Sequence, residues 1–196
     1  GTAYTQTHVE YFQKQAERLR MEYGYTYSKI FTGEDLVNVL IEETANHGTI
    51  TSVAIFSHGG DIGFYLNDDQ GFYYNSEYIP SPFIMGSVSL ENLEQKIKDR
   101  EIKFADNAVI FIDACNVGSK IAEPIPFAQR IAEITGAKVI AGDGHVEMVN
   151  PKDANGKFKI AKEDADGGGQ FYEFSKGDKA KPLGNIIDMD DYIQKQ

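Results

Sequence analysis

The chain has a single cysteine, Cys115, and that scarcity excludes a good deal. No internal disulfide can form, so the residues carry no mark of an oxidising or a reducing compartment. Every zinc pattern that needs several thiolates is ruled out. No apolar run approaches the roughly 18 residues that suggest a transmembrane helix, so no membrane span is expected. No signal peptide is present, and the chain opens on Gly1 rather than Met. It therefore reads as a trimmed or processed product, and the missing leader says nothing about the full-length gene product. The chain lacks a Gly-x-Ser-x-Gly elbow, which removes the esterase reading that His58-Gly59-Gly60 would otherwise invite. It also lacks a phosphate-binding Gly-x-x-x-x-Gly-Lys and a dinucleotide fingerprint, which argues against a nucleotide enzyme. No internal repeat is visible. Lys and Arg number 19 against 30 Asp and Glu, a net charge of -11. That balance argues against nucleic acid or an anionic membrane as a main partner. It fits a cationic substrate, and equally an ordinary solubilising surface.

What is present is enough for a folded domain. The 196 residues are 41% hydrophobic and 12% aromatic, sufficient to bury a core. Val9, Phe12, Ala16, Leu19 and Tyr23 recur at helical spacing over 6–23, and Gly24 follows as a stop. The alternation from Tyr25 to Phe31 suggests a first strand. Thr32, with Asp35 three residues on, caps a helix over 33–46 that His47-Gly48 ends. An apolar strand over 52–57 delivers His58. Two aromatic runs, Phe64–Asn67 and Phe72–Asn75, flank an Asp68–Gly71 turn and read as a β-hairpin beside it. Its tyrosines either pack on the sheet or line a cleft, with packing the expectation. Past the Pro80-Ser-Pro82 loop, Ser89 starts a helix with Leu90, Leu93 and Ile97 inward. That helix is the crossover to a second buried strand, 108–113, and makes the two strands parallel. A helix with Phe127, Ile131 and Ile134 and a strand from Ala137 to Ala141 follow. The latter ends at Gly142-Asp143-Gly144-His145. Residues 150–185 are polar and Gly- and Lys-rich, with Lys157–Ile160 and Gln170–Phe174 as short strands of an appended hairpin. Ile186 to Ile193 forms a short amphipathic end.

Two blocks carry the chemistry. Ser52–Phe56 leads into Ser57-His58-Gly59-Gly60, and Val109–Ile112 leads into Asp113-Ala114-Cys115-Asn116. Parallel strands put their carboxyl ends on one edge of the sheet, so a histidine and a cysteine delivered there can share a site. Cysteine and histidine together make a nucleophile and its general base. The backbone N–H groups of Gly59 and Cys115 are candidates for holding an oxyanion, and a glycine after the histidine keeps a side chain off the substrate carbonyl. Taken singly, each residue has a plainer reading. A lone buried cysteine is usually inert, and a lone histidine is usually structural. The joint arrangement is what favours a catalytic pair. His8 and His47 lie in or beside helices and are expected to face solvent. His145, at a strand end on the same edge, is the one rival base, and it lacks a following glycine.

The pair of blocks resembles the caspase-like cysteine peptidases, the group that includes caspases, metacaspases, gingipains and clostripain-like enzymes. The interval between His58 and Cys115 is close to the offset of about 50 residues found in caspases. Asp113-Ala114-Cys115 is nearer the clostripain-like and metacaspase branches than the caspases, whose cysteine follows Gln-Ala. The resemblance covers roughly residues 25 to 145 as an order of elements and is sharp at the two blocks alone. It implies an α/β fold of three layers, α-β-α, with a mostly parallel central sheet and small β-hairpin extensions. Residues 1–149 would form the caspase-like domain and 150–196 a hairpin and loop extension of it. It implies a cysteine endopeptidase in which Asp113 helps form the pocket for a basic side chain. Cleavage after Arg or Lys follows, because a carboxylate pairs bidentately with Arg and as a point charge with Lys. Asp143 is a second candidate for that pocket. The partner is then a peptide or protein substrate with a basic residue before the cleaved bond.

Several relatives mature by cutting themselves in a loop, and Lys152, Lys157, Lys159 and Lys162 lie in a stretch suited to that. No cofactor is expected, with calcium the one candidate. Asp164, Asp166, Gly167 and Glu173 match positions of an EF-hand loop, but Lys162 holds the first ligand position and no helices flank it. The alternative outside enzymes is an inactive caspase-like scaffold or an effector module of a larger secreted protein, which makes a secreted or cell-surface location plausible.

Overall fold

The computed structural model describes residues 6–67, 70–80, 85–120, 123–147, 157–160 and 169–193. In chain order these form α1 (Gln6–Tyr23), α2 (Gly33–His47), β1 (Ile50–Phe56), β2 (His58–Gly60), β3 (Gly63–Asn67), β4 (Gln70–Tyr73), β5 (Val88–Ser89), α3 (Leu90–Lys98), β6 (Phe104–Asp113), α4 (Phe127–Thr135), β7 (Lys138–Gly142), β8 (Val146–Glu147), β9 (Lys157–Ile160), β10 (Phe171–Phe174), β11 (Lys181–Gly184) and β12 (Ile186–Asp188). Single 3-10 turns span Ser76–Tyr78 and Met189–Asp191. The architecture is mixed α/β. The central sheet runs β1-β6-β7-β10-β11, beside a four-stranded sheet β2-β3-β4-β5 and a three-stranded sheet β12-β9-β8. β1, β6 and β7 are mutually parallel. β10 returns antiparallel to β7, and β11 antiparallel to β10.

β6 is the axis of the core. Its last six residues are all buried, as a continuous Val, Ile and Phe run predicts for a strand covered on both faces. Alternation splits them between two clusters. Ala108, Ile110 and Ile112 pack with Leu36, Val37 and Leu40 of α2, Leu90 and Leu93 of α3, and Phe127 and Ile131 of α4. Val109 and Phe111 face the other way, onto Tyr11 and Leu19 of α1 and Ile187, Met189 and Ile193 near the carboxyl end. Asp113 continues the second set, so α1 lies over the face that ends in Asp113.

Local chemistry explains the helix boundaries. The Thr32 hydroxyl accepts from the Asp35 N–H at 3.0 Å, and the Asp35 carboxylate accepts from the N–H of Thr32 at 2.9 Å. This is the reciprocal cap expected from the sequence. Gly48, at φ 83, ends α2 with its N–H on the Thr44 carbonyl. Gly136, at φ 72, does the same for α4.

Two expectations are revised. Tyr25–Phe31 is not a strand. Thr26 to Lys29 are exposed, so the weak alternation has no face to bury. The segment is pinned at its ends, Tyr25 by its N–H on the Leu19 carbonyl and its hydroxyl on Ser52, and Phe31 by its N–H on the Asp35 carboxylate. A groove of about 920 Å3 therefore runs between this segment and β1, which is left as an edge strand. Second, β9 and β10 do not pair with each other. Phe171 and Phe174 are buried on opposite faces of the central sheet, which draws β10 in beside β7. β9 joins β8 and β12 instead. The Asp68-Asp69 part of the hairpin turn and Ser81-Pro82 lie outside the described residues, as do Lys152, Lys162, Asp164, Asp166 and Gly167.

Phe127 is fully buried and meets the rings of both Phe64 and Phe72, so it ties α4 to the hairpin. Phe127→Ala should cost about 3–5 kcal/mol of stability by cavity formation. Urea unfolding monitored by circular dichroism measures it.

Candidate functional site

β1 and β6 run in register to their carboxyl ends, where Phe56 pairs with Asp113. The Ser57 N–H extends the ladder to the Asp113 carbonyl at 3.0 Å. His58 and Cys115 are each two residues past that last pair, so both leave the same edge of the sheet. The chain after His58 turns away from the central sheet to start β2, antiparallel to β3, with His58 opposite Tyr65. Gly59 fixes how closely the two blocks approach. A Cβ there would stand 2.8 Å from the Ala114 Cβ and 2.9 Å from the Cys115 carbonyl oxygen. The backbone after His58 is thus pressed against the backbone of the cysteine turn, and only glycine fits.

The cysteine turn is clamped from its other side by the end of β7. Asn116 adopts φ 60, a left-handed conformation that Asn tolerates better than most residues. Its N–H donates to the Gly144 carbonyl at 3.1 Å, and the Gly118 N–H to the Gly142 carbonyl at 2.8 Å. A Cβ on Gly118 would lie 2.9 Å from that same carbonyl oxygen. The Ala128 N–H donates to the Val117 carbonyl, tying α4 to the turn. Cys115 is half-buried and outside any disulfide. Sequence reasoning did not single out Gly118, Gly142 or Gly144 as a clamp on the cysteine. Glycines at both turns were the available signal.

His58 is half-buried and its ring meets the Phe12 ring of α1 edge-on, with centroids 5.3 Å apart and planes at 78°. Asp113 is 2% exposed. Burial pushes its carboxyl up to about 7. The Tyr11 hydroxyl and the Gln15 amide of α1, at 1% and 0% residue exposure, are buried on the same face. Asp113 and Tyr11 act on each other electrostatically, and burial and Asp113 both push the Tyr11 hydroxyl up. Tyr11 is near enough to Asp113 and Gln15 to act on both, yet Tyr11 Oη, both Gln15 amide atoms and Asp113 Oδ2 close no hydrogen bond of good geometry. Each buried polar atom left unmet costs about 1–3 kcal/mol.

The other sequence candidates lie elsewhere. Asp143 lies in the bend just past β7, beyond the last β6–β7 pair, Ile112 with Ala141. Its Oδ1 accepts from the Gln170 N–H at 2.7 Å. Burial raises its pKa, against the Gln170 N–H and the Tyr172 hydroxyl, which lower it. Asp143 thus fastens the start of β10, while Asp113 faces Tyr11 of α1. His145 is exposed past the same turn. His47 is exposed on α2, 3.6 Å from Glu43. His8 lies within α1. Among the described residues no three His, Cys, Asp or Glu side chains group as a metal site. Glu173, the described member of the calcium pattern, lies in β10 at 3.4 Å from Lys138. No helix of the described residues is long and apolar enough to cross a membrane.

Set against known proteins, the chain matches no family model, no curated protein and no solved structure.

The buried carboxyl has a consequence for stability. The Asp113 pKa is raised from 3.8 to about 7 in the folded protein. Between those values the folded state holds a proton that the unfolded state has released. Stability therefore falls as pH rises through this window. Asp113→Asn keeps the shape and removes the titration. Melting curves at pH 5 and pH 8 should show wild type losing stability at the higher pH relative to the variant. Equal shifts in both proteins would contradict the assignment.

Proposed function

We propose that this chain is a cysteine endopeptidase of the caspase-like type, with Cys115 as nucleophile and His58 as general base. The observation that carries this reading is the parallel pairing of β1 and β6 up to Phe56 and Asp113, with Gly59 packed on the cysteine turn. It brings the two blocks that the sequence singles out to one edge of one sheet.

The chemistry runs in two halves. His58 takes the proton of the Cys115 thiol, and the thiolate attacks the carbonyl carbon of the scissile bond. The oxyanion that forms is held by the backbone N–H groups of Gly59 and Cys115. Collapse breaks the C–N bond, and His58 returns its proton to the leaving amine. Water, deprotonated by His58, then adds to the thioester and releases the carboxylic acid product and the thiol. Asp113 selects the residue before the cleaved bond. Its carboxyl is held near neutrality by burial, and an arriving Arg or Lys cation favours the ionised form. Pairing the two removes the cost of burying either charge alone. A net charge of -11 favours the approach of basic segments.

One observation favours the second reading, an inactive scaffold. Asp113 is buried beneath α1 and does not line the groove beside β1.

An acyloxymethyl ketone carrying Arg or Lys next to its reactive group separates the two readings. The peptidase reading expects covalent labelling at Cys115, located by peptide mass spectrometry and absent in Cys115→Ala. His58→Ala should slow labelling by about 100-fold or more, the usual span for a lost general base. Carriers with Asp or Asn in that position should label far more slowly. A folded protein that no such probe labels supports the scaffold.

A further inference from the structure

We propose that α1 is a self-docked plug. Its Tyr11, Phe12 and Gln15 cover Asp113 and His58 where a substrate side chain belongs, and the helix lifts before the site can work. This inference rests on the peptidase reading of the same site and adds its regulation.

Two independent contacts support it. Phe12 lays an apolar ring against the imidazole of His58, 5.3 Å between centroids. A general base needs access to the leaving group and to water; α1 packs against one side of the imidazole, and its other side borders the groove beside β1. Separately, Tyr11 and Gln15 are buried over the β6 face that ends in Asp113. The Tyr11 hydroxyl lies close enough to Asp113 and to Gln15 to act on both, yet the bonds between them are poorly formed. The Tyr11 hydroxyl, both Gln15 amide atoms and the second carboxylate oxygen of Asp113 are all enclosed without a hydrogen-bond partner. A helix kept solely for the core would present apolar side chains at these positions. Polar groups that are unmet in the docked state regain water when the helix lifts, so the plug is held less tightly than its contact area suggests. A cationic side chain would meet the carboxylate that Tyr11 and Gln15 leave unmet.

The rest of α1 is built to come away. Its strongest polar tie lies toward the end remote from Tyr11. There the Arg18 guanidinium reaches both oxygens of Asp190, at 2.5 and 2.6 Å, and pairs with Glu22 at 3.1 Å. Beyond the helix, Gly24 takes φ 79 and the chain runs through residues 24–31 without strand or helix. α2 then begins at a firm cap. Cutting the Arg18–Asp190 tie thus weakens the plug without touching Cys115, His58 or Asp113.

The test uses the full chain with Arg18→Ala, Asp190→Ala and Phe12→Ala. Two readouts are taken: labelling of Cys115 by the arginine acyloxymethyl ketone, and deuterium uptake by α1. Each variant should label about tenfold faster than wild type, since removing one such contact raises the small open population by about that factor. The helix should take up deuterium faster in parallel, while β6 and β7 stay protected, which shows that the fold persists. Wild type that labels readily, with all three variants within twofold of it, would overturn the plug and leave the peptidase standing. No labelling in any form, with faster uptake across α1 in the variants, would sink the peptidase and retain the lifting helix. No labelling and unchanged uptake would end both.

Discussion

The backbone ladder between β1 and β6 is the constraint on which the molecule depends. It is a parallel pairing, so it cannot be made by a tight turn, and the chain runs out through the four-stranded sheet and α3 before returning. That excursion is anchored by aromatic packing, with Phe64 stacked on Phe72 and both meeting Phe127. Because the ladder reaches Phe56 and Asp113, whatever follows those residues emerges side by side. Gly59 and Gly118 then let three stretches of backbone crowd together where a side chain at either position would not fit. The site is positioned by main-chain contacts more than by side-chain bonds.

Asp113 stands against this order. It is a buried acid on the face that otherwise carries Val109 and Phe111. Burial favours its neutral form, and the neighbours that α1 supplies leave polar atoms unmet on both sides. Folding stability alone would replace the cluster with apolar groups. A carboxyl retained at such a cost, one residue pair from the proposed nucleophile, is the feature that most distinguishes this face from an ordinary core.

Much of the layout could be read in advance where the cause is local. The Thr32 cap, the stop at Gly136 and the buried run of β6 each depend on a few neighbouring residues, and the sequence shows them. The direction of β1 relative to β6 followed from the crossover helix. What depends on distant partners was hidden. Asp113 and Asp143 look equivalent along the chain, yet one ends β6 beneath Tyr11 and the other sits in the bend after β7 holding the Gln170 N–H. The alternation at Tyr25–Phe31 resembled a strand but lacked a second buried face. Gln170–Phe174 looked like half of an appended hairpin, because nothing local reveals that β7 has a vacant side. The helix at 6–23 was foreseen as a cover for the sheet, but which residues it covers is set by packing far along the chain.

The segment between α1 and α2 carries a further implication. It borders a groove rather than pairing with β1, so no strand covers the outer margin of β1 among the described residues. Unbonded sheet margins are templates for another chain. Thr26, Ser28 and Lys29 supply the polar and charged character that discourages such growth. Trimming the chain back to Gly33 would strip that guard along with α1, and the shortened protein would assemble margin to margin.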